Sequence, residues 1–362
     1  MNPTSRRSSR ERAGRPVCSV VIPTYNGRRL LETCLPSILR NLPRDPAIAC
    51  EVIVVDNGST DGTREWIDQT HPWVRVIRLE PNRGFCVAAN VGIAAARGRF
   101  VQVLNDDTEV TPGWIEAGLE PFDDPTVGAV TPLVLVRSTP ERVDSAGDSY
   151  SLAGWPTKRG HGQPVERWGS RPVEEVFAAS GSSSFFRAEA LKRVGGGFDP
   201  SLVSYYEDID LGFRLRWAGY RVMFTPNCRI LHDISATNDH RRPELQRRIA
   251  RNAELVFWMN LPARKLALAL LPHVGLLLAQ SVWKLLRLRF VPFFLGKLDA
   301  ARELPGLLAR RKLRADLARR AVHRPHFPMS LGSLEDVVNH LRRPPETSAL
   351  VEQKAARRPR AS

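Results

Sequence analysis

Residues 100–110 read FVQVLNDDTEV, and the order of side chains in this stretch decides the fold. A short apolar strand, Phe100–Leu104, runs without a spacer into Asn105, Asp106 and Asp107. A continuous apolar run is what a strand covered on both faces requires. Adjacent carboxylates at the end of such a strand repel one another and call for a counterion. Asp107 or Thr108 could cap a helix starting near Pro112 and Trp114, but a cap uses one acid at most. A hard divalent cation, Mg2+ or Mn2+, shared with phosphate oxygens would account for the excess.

Outward from this stretch the same grammar repeats. Val17–Ile22, Glu51–Val55 and Val74–Leu79 are further apolar strands. Leu30, Leu31, Cys34, Leu35, Ile38 and Leu39 recur at helical spacing. A second helix is expected near Arg64–Gln69, and a third from Gly84 through Val87, Ala88, Val91, Ala94 and Ala95. Strands alternating with helices specify an α/β fold: a mostly parallel, Rossmann-like sheet with helices on both faces. Ligands bind such sheets beyond the carboxyl ends of the strands. The polar clusters at 23–27, 56–63 and 105–109 all fall at those ends and should converge on one crevice.

The first strand–helix turn reads PTYNG rather than GxGxxG, which excludes a dinucleotide site of the usual kind. Asp56, directly after the second strand, suits a base or ribose edge, or equally an Asx turn closed with Asn57-Gly58. Residues 131–175, rich in Gly, Pro, Ser and Trp, are expected to be loop with short strands. Val176–Arg187 should hold a strand and Glu189–Val194 a short helix. In YEDIDLGFRLRW, the acids Glu207, Asp208 and Asp210 open a helix, where its dipole suits anions. Following two tyrosines, that acid group also suits a general base. Strands at Arg221–Thr225 and Cys228–Leu231 then lead to His232.

The formal net charge of +15 is unevenly spread. Five Arg and one Glu in residues 1–16 give +4, and 25 Lys/Arg against 10 Asp/Glu in 236–362 give +15. The 23 basic and 27 acidic residues between them leave −4. A slightly acidic body with basic ends disfavours a nucleic-acid groove and favours a basic tail on an anionic membrane. The five cysteines form no CxxC pair, which points to reduced thiols. The N-terminus lacks an apolar core and is not a signal peptide. Residues 266–283, LALALLPHVGLLLAQSVW, are borderline for a membrane span. Trp283–Phe290 and Leu307–Arg320 suit helices lying in a membrane interface or packed on the body. The expected organisation is a basic tail over 1–16, a catalytic body over 17–235, a basic helical extension over 236–325 and a disordered tail over 326–362.

PTYNG, VDNGSTDGT, PNRGFCVAANVGIAAARG, LNDDTEV, GGFDPSLVSYYEDIDLGFRLRWAGY, HDISAT and RNAELVF together resemble family 2 glycosyltransferases, and among them the bacterial rhamnosyltransferase-like branch. The resemblance covers about residues 17–260 and implies a GT-A fold, with a nucleotide half over about 17–110 and an acceptor half over about 111–235. It implies that Pro23, Tyr25 and Asp56 line the base pocket, and that Asn82, Gly84 and Asn90 hold ribose and diphosphate. Asp107 takes the last position of the family's DxD metal motif. Asp106 is its middle residue, reaching ribose or a metal-bound water, and Asn105 replaces the first acid. Asp208 matches the catalytic base, with Glu207 beside it, and His232 completes the metal or diphosphate site. The implied activity is inverting transfer from dTDP-rhamnose or a UDP-sugar, with Mg2+ or Mn2+, to a cell-envelope glycan or lipid-linked acceptor at the inner face of the plasma membrane. The alternative is a non-catalytic sugar-nucleotide or glycan binder that keeps the fold.

Overall fold

The computed structural model describes residues 16–234 and 242–330. The N-terminal tail up to residue 15, the 235–241 part of the HDISAT region and the tail beyond 330 lie outside the described residues. The first half alternates strand and helix: β1 (Cys18–Thr24), α1 (Arg28–Asn41), β2 (Cys50–Asp56), α2 (Thr63–Thr70), β3 (Arg75–Arg78), α3 (Phe85–Ala95) and β4 (Phe100–Leu104). Then come β5 (Thr108–Val110), α4 (Trp114–Leu119), β6 (Val127–Val136), β7 (Thr139–Ser145), β8 (Asp148–Tyr150) and β9 (Pro156–Lys158). They are followed by α5 (Glu166–Gly169), β10 (Glu174–Glu175), β11 (Ser183–Arg187), α6 (Ala188–Arg193), α7 (Glu207–Trp217) and β12 (Arg221–His232). Four helices complete the described chain: α8 (Pro243–Asn260), α9 (Ala263–Leu286), α10 (Phe290–Arg302) and α11 (Leu304–Arg319).

The main sheet runs β10-β12-β6-β11-β4-β1-β2-β3, with β5 beside β12 and β7 beside β6. The block β3-β2-β1-β4 is parallel, as the apolar runs require. From β1 the chain first builds outward to β2 and β3, then returns to place β4 on the opposite side of β1. That reversal is a topological switch point, where the loops after two neighbouring strands part and leave a crevice. Beyond β4 the sheet becomes mixed, because β11 runs antiparallel to both β4 and β6.

Alternation along β1 sorts its side chains between two cores. Val20 and Ile22 join Leu31, Cys34, Leu35 and Ile38 of α1 on one face. Val21 joins Cys86, Ala88, Ala89 and Ile93 of α3 on the other. The small residues of α3 let it lie close: a Cβ on Gly92 would stand 2.2 Å from Val21 Cγ1. Gln102, buried within β4, is satisfied by Ser183 Oγ at 3.2 Å and Trp114 Nε1 at 3.0 Å, as a buried amide must be.

Two readings of the second half change. Residues expected to begin a loop at 131 belong to β6, ten residues that are all buried. Gly128 and Pro132 hid this strand, yet Gly128 is where Tyr220 presses on the backbone, its Cβ 2.7 Å from an added Cβ. The two strands expected at 221–225 and 228–231 form one, β12, with a register shift between Thr225 and Arg229. Pro226 has no N–H for the ladder, so the strand bulges there and resumes.

The chain divides into two compact units, the first comprising Met1–Asp148, Lys158–Asp233 and Arg314–Phe327. The second holds Ser149–Thr157, Ile234–Leu313 and Pro328–Ser362. The extension expected over 236–325 is thus shared between them. Residues 326–330, expected to be disordered, are placed: Phe327 is buried against Trp217 at 4.9 Å between ring centroids, and Ser330 bridges Ser151. In the first unit Asp210 is fully buried and receives Arg214 Nε at 2.7 Å and Arg314 Nη2 at 2.9 Å. Removing one member of a buried ion group strands the others in low dielectric. Asp210→Ala should therefore lower unfolding free energy by about 3–5 kcal/mol, measured by chemical denaturation. A loss under about 1 kcal/mol would mean that water reaches the two guanidinium groups.

Candidate active site

The switch point brings the first and fourth strand ends into direct contact. Thr24, the last residue of β1, donates its hydroxyl to Asp106 Oδ2 at 2.6 Å. Gly27 makes room for that bond, since a Cβ there would stand 2.2 Å from Thr24 Oγ1 and 2.3 Å from Asp106 Oδ2. Burial and the neighbouring charge of Asp107 push the Asp106 carboxyl up to about 7, against the Thr24 hydrogen bond. Neither Asp107 nor Thr108 caps the next helix, whose N-cap is Gly113 with no side-chain cap.

Asp107 faces the end of β12. Thr108 pairs with His232 in the β5–β12 register, and the Asp233 N–H donates to the Asp107 carbonyl at 2.9 Å. That register sets His232 Nε2 3.3 Å from Asp107 Oδ1, an ion-pair distance at which Oδ1, itself buried, makes no hydrogen bond. The other imidazole nitrogen, Nδ1, stands 2.9 Å from Asp144 Oδ2. Asp144 is fully buried in β7 and pairs through Oδ1 with Lys158 Nζ at 3.2 Å and His161 Nδ1 at 3.3 Å. Burial opposes the charge on His232, but Asp107 and Asp144 outweigh it and raise its pKa to about 10. Burial likewise opposes the charge on Asp144, and the Lys158 charge with the hydrogen bonds from His161 and His232 holds it well below the usual carboxylate range. Sequence reasoning missed Asp144, Lys158 and His161. They sit in a Gly-rich segment with no local signal, and only the fold aims them at His232.

Lys158 ends a polar chain Asp107–His232–Asp144–Lys158, and its charge favours the ionised form of Asp208 in α7. Asp208 borders a small, mostly apolar cavity lined by Val103, Phe186, Phe198 and Leu211 as well as Ser180, Gly181 and Ser184. A Cβ on Gly181 would stand 3.1 Å from its Oδ2. Next to Gly181, the Ser182 carbonyl accepts from the Asn105 N–H at 2.9 Å, so the same short segment touches both acidic motifs. Burial and then the charge of Asp208 push Glu207 up to about 8, and its Oε2 is buried with no hydrogen-bond partner. Burial raises Asp208 as well, although the N–H groups of Ile209 and Gly181 and the Lys158 charge pull the other way. Burial and mutual repulsion favour one shared proton in this coupled pair, and Glu207, whose Oε2 has no partner, is the better holder of it. The loop before them carries Val203, Tyr205 and Tyr206 at φ of 64°, 69° and 71°. Left-handed backbone at three non-glycine residues is costly, and such strain concentrates at functional sites.

The residues expected to hold a nucleotide fall into two groups. Pro23 is buried in β1, while Tyr25 directly after it is 46% exposed and offers a free ring face. Asp56 is fully buried and spends both oxygens within the protein, one on the Ser59 N–H at 2.9 Å and one on Arg78 Nη1 at 3.1 Å. Asn57 bonds Asn82 Oδ1 at 2.9 Å and accepts from the Arg83 N–H at 2.9 Å, and Gly84 N also reaches Asn82 Oδ1. Gly84 has φ 83° and packs against Val203, whose carbonyl accepts from the Cys86 N–H at 3.1 Å. Asn90 is occupied elsewhere: its amide clasps the Phe198 backbone at 2.7 and 2.8 Å, which makes it a strut between α3 and the 197–199 loop.

A divalent cation fits the Asp107 end of the chain. The orphaned, buried Oδ1 is a hard donor, and His232 Nε2 beside it can ligate once the cation displaces its proton, with Nδ1–H still donating to Asp144. Among the described residues no three His, Cys, Asp or Glu side chains are gathered as a complete cage. Mg2+ and Mn2+ sites that take their remaining ligands from substrate phosphates and water do not need one.

Residues 19–195 match the family profile described as Glycosyl transferase family 2. Over 242 residues the chain is 31% identical to the N-acetylglucosaminyl-diphospho-decaprenol L-rhamnosyltransferase of Mycobacterium tuberculosis (strain ATCC 25618 / H37Rv), covering 60% of this chain and 76% of that protein. The chain belongs to glycosyltransferase family 2. It is also 31% identical over 265 residues to the uncharacterized protein y4gI of Sinorhizobium fredii, covering 70% of this chain but only 28% of that longer relative. Among solved structures, residues 1–349 of S. aureus TarS in complex with UDP-GlcNAc align at a TM-score of 0.51 and 20% identity, over 83% of this chain and 89% of that one. GalNAc-T7 with UDP, GalNAc and Mn2+ aligns at 0.52 and 19% identity, over 67% and 48%. At such identities the likeness is one of fold, and the fold of this family 2 member is GT-A.

The raised Glu207 carboxyl has a consequence for stability. Folded, it keeps a proton that the unfolded chain releases above about pH 4.3, so stability falls as pH climbs from there to about 8. Glu207→Gln removes that titration. Its melting temperature should drop less than the wild type's between about pH 5 and about pH 8, by several degrees. Equal slopes in the two proteins would move the buried proton away from Glu207.

Proposed function

We propose that this family 2 member is an inverting, metal-dependent transferase that moves one sugar from a nucleoside diphosphate donor to an acceptor hydroxyl. The observation that carries the reading is the polar chain from Asp107 through His232 and Asp144 to Lys158, whose charge acts on Asp208 in the same unit. A sugar transfer needs positive charge where the diphosphate departs and a base where the hydroxyl attacks, and the chain and Asp208 together offer both.

In this mechanism Asp208 takes the proton of the acceptor hydroxyl as its oxygen bonds to the anomeric carbon. The bond from that carbon to the diphosphate oxygen breaks, the electron pair leaves with the diphosphate, and the configuration inverts. Glu207 stays protonated beside Asp208, so the base works next to a neutral neighbour. Asp107 and His232 would hold a divalent cation, which would supply Lewis-acid stabilisation to the departing diphosphate. Asp144 holds the His232 ring by its Nδ1 edge. Tyr25 offers its ring to the nucleotide base, and Asp56, Asn57 and Asn82 keep the flanking turns in shape. Asp106, tied to Thr24, closes the crevice floor.

The donor is a dTDP-sugar such as dTDP-rhamnose or a UDP-sugar. The acceptor is a cell-envelope glycan or a lipid-linked saccharide, met at the inner face of the bacterial plasma membrane. The name of the mycobacterial rhamnosyltransferase, with its decaprenol acceptor, supports this choice, as do UDP-GlcNAc and Mn2+ in the structures of like fold. The test is calorimetric titration of UDP, dTDP and GDP, each with and without Mn2+. Metal-dependent binding of UDP or dTDP is expected, and Asp107→Ala should abolish the metal-dependent part. Asp208→Asn should keep nucleotide affinity while turnover falls by about 10²–10⁴-fold. A folded protein that binds none of the three nucleotides would sink the reading.

A further inference from the structure

The RNAELVF stretch at 251–257 has no part in the transfer chemistry, yet the second unit is organised around it. Glu254 in α8 is buried and receives Lys297 Nζ at 2.7 Å and Trp258 Nε1 at 2.9 Å. His273 Nε2 from α9 stands 3.1 Å from the same carboxylate, and its Nδ1 lies 2.8 Å from the Ala153 carbonyl. The imidazole also stacks on Phe257 with ring centroids 3.8 Å apart and planes 6° apart. Burial works against a charge on Glu254, but His273 and Lys297 prevail and bring its pKa down to about 2.

This network fixes which side of α9 faces the protein. Ala269, His273 and Leu276 are its buried residues, at i, i+4 and i+7. On the opposite side Leu268, Leu271, Leu278, Val282 and Leu285 stand in solvent, with Leu271 82% and Leu278 64% exposed. The apolar surface continues past the helix end through Leu288, 95% exposed at φ 54°, to Val291 and Phe294 on α10. Monomeric soluble proteins rarely leave so long an aliphatic face to water.

Charge names the occupant. Between Glu254 and Asp299 the sequence holds no acidic residue, while Arg264 and Lys265 flank one end of α9 and Lys284, Arg287 and Arg289 the other. The Lys284 and Arg287 cations stand 5.1 and 5.4 Å from the centroid of the Trp283 ring, a pairing suited to the headgroup layer. A second copy of the same face would bring these like charges together, whereas an anionic leaflet neutralises them. We infer that the outer face of α9, with Leu288 and the start of α10, is a membrane foot that lies in the headgroup–acyl boundary of an anionic leaflet without crossing it.

At 24 residues α9 spans about 36 Å, enough to cross a bilayer, so length does not decide the matter. The buried stripe does. A crossing α9 would either pull His273 away from Glu254 or draw α8 and α10 into hydrocarbon with it. Those helices carry the Arg247–Asp299 pair at 2.8 Å and the Arg251–Glu303 pair at 2.7 Å, charges that a bilayer core rejects. An in-plane helix keeps the network and still buries its leucines.

Two experiments on the full chain test this, with nucleotide titration in parallel so that the transferase reading stands or falls separately. In flotation, the wild type should rise with phosphatidylcholine–phosphatidylglycerol vesicles and far less with phosphatidylcholine alone. The Leu271→Glu/Leu278→Glu variant, altered only at exposed positions, should lose binding by about tenfold or more. A variant that floats like the wild type, or a wild type that ignores anionic vesicles and elutes as a dimer, overturns the proposal. The latter result would assign the face to a second copy. In a Cys50→Ser background, Arg264→Cys and Arg287→Cys should both react with an impermeant maleimide in inside-out bacterial membrane vesicles, and neither in spheroplasts. Labelling of the two ends from opposite sides would mean that α9 spans, and overturns it as well.

Discussion

Two carboxylates that leave a buried strand side by side cannot both be ionised without opposing charge, and the first unit is arranged around that constraint. The reversal of strand order at β1 sets Thr24 beside Asp106. The β5–β12 register sets His232 beside Asp107. One acid is met by a hydroxyl and drifts toward neutrality. The other is met by an imidazolium that Asp144 keeps charged. The result is a crevice floor whose electrostatics are set before any ligand arrives, which is the condition for efficient charge stabilisation during a reaction.

The same arrangement weakens the folded state. Asp106 and Glu207 both carry carboxyl pKa values raised by burial, so each is easier to ionise in the unfolded chain. The strained backbone at Val203, Tyr205 and Tyr206 adds to the cost. Structural acids behave otherwise: Asp210 is matched by two arginines, and Glu174 by Arg159 and Arg171. Acids raised by burial are therefore found at Asp106 and Glu207, and perturbed groups of this kind mark candidates for chemistry rather than supports of the fold.

In the second unit the roles are reversed. Its buried charges, Glu254 and Lys297, are matched, with His273 against Glu254, and what it leaves unmatched is apolar surface. Among the described residues one helix is long and apolar enough to cross a membrane, and the polar network on its inner stripe decides how such a helix can meet lipid. Composition alone assigns it to no side.

How much was legible follows from the range of the interactions. The parallel block, the three polar clusters at strand ends and the acids opening α7 could be read directly, because strand runs, helical periodicity and turn residues are local patterns. Asp107, Asp208 and His232 could likewise be named as candidates, since each stands at the end of a strand or the start of a helix. Strand β6 was not, since its Gly128 and Pro132 make sense only against Tyr220 and the bulge in β12. Asp144, Lys158 and His161 lay in a segment with no periodicity, and Asn90 looked like a ligand residue until its partner at Phe198, 108 positions away, was in view. The sequence by itself determined which residues could carry charge at the end of a buried strand. Only the tertiary structure decided which of them meet, because the burial, backbone register and long-range pairing that govern a carboxylate's charge are properties of the folded chain.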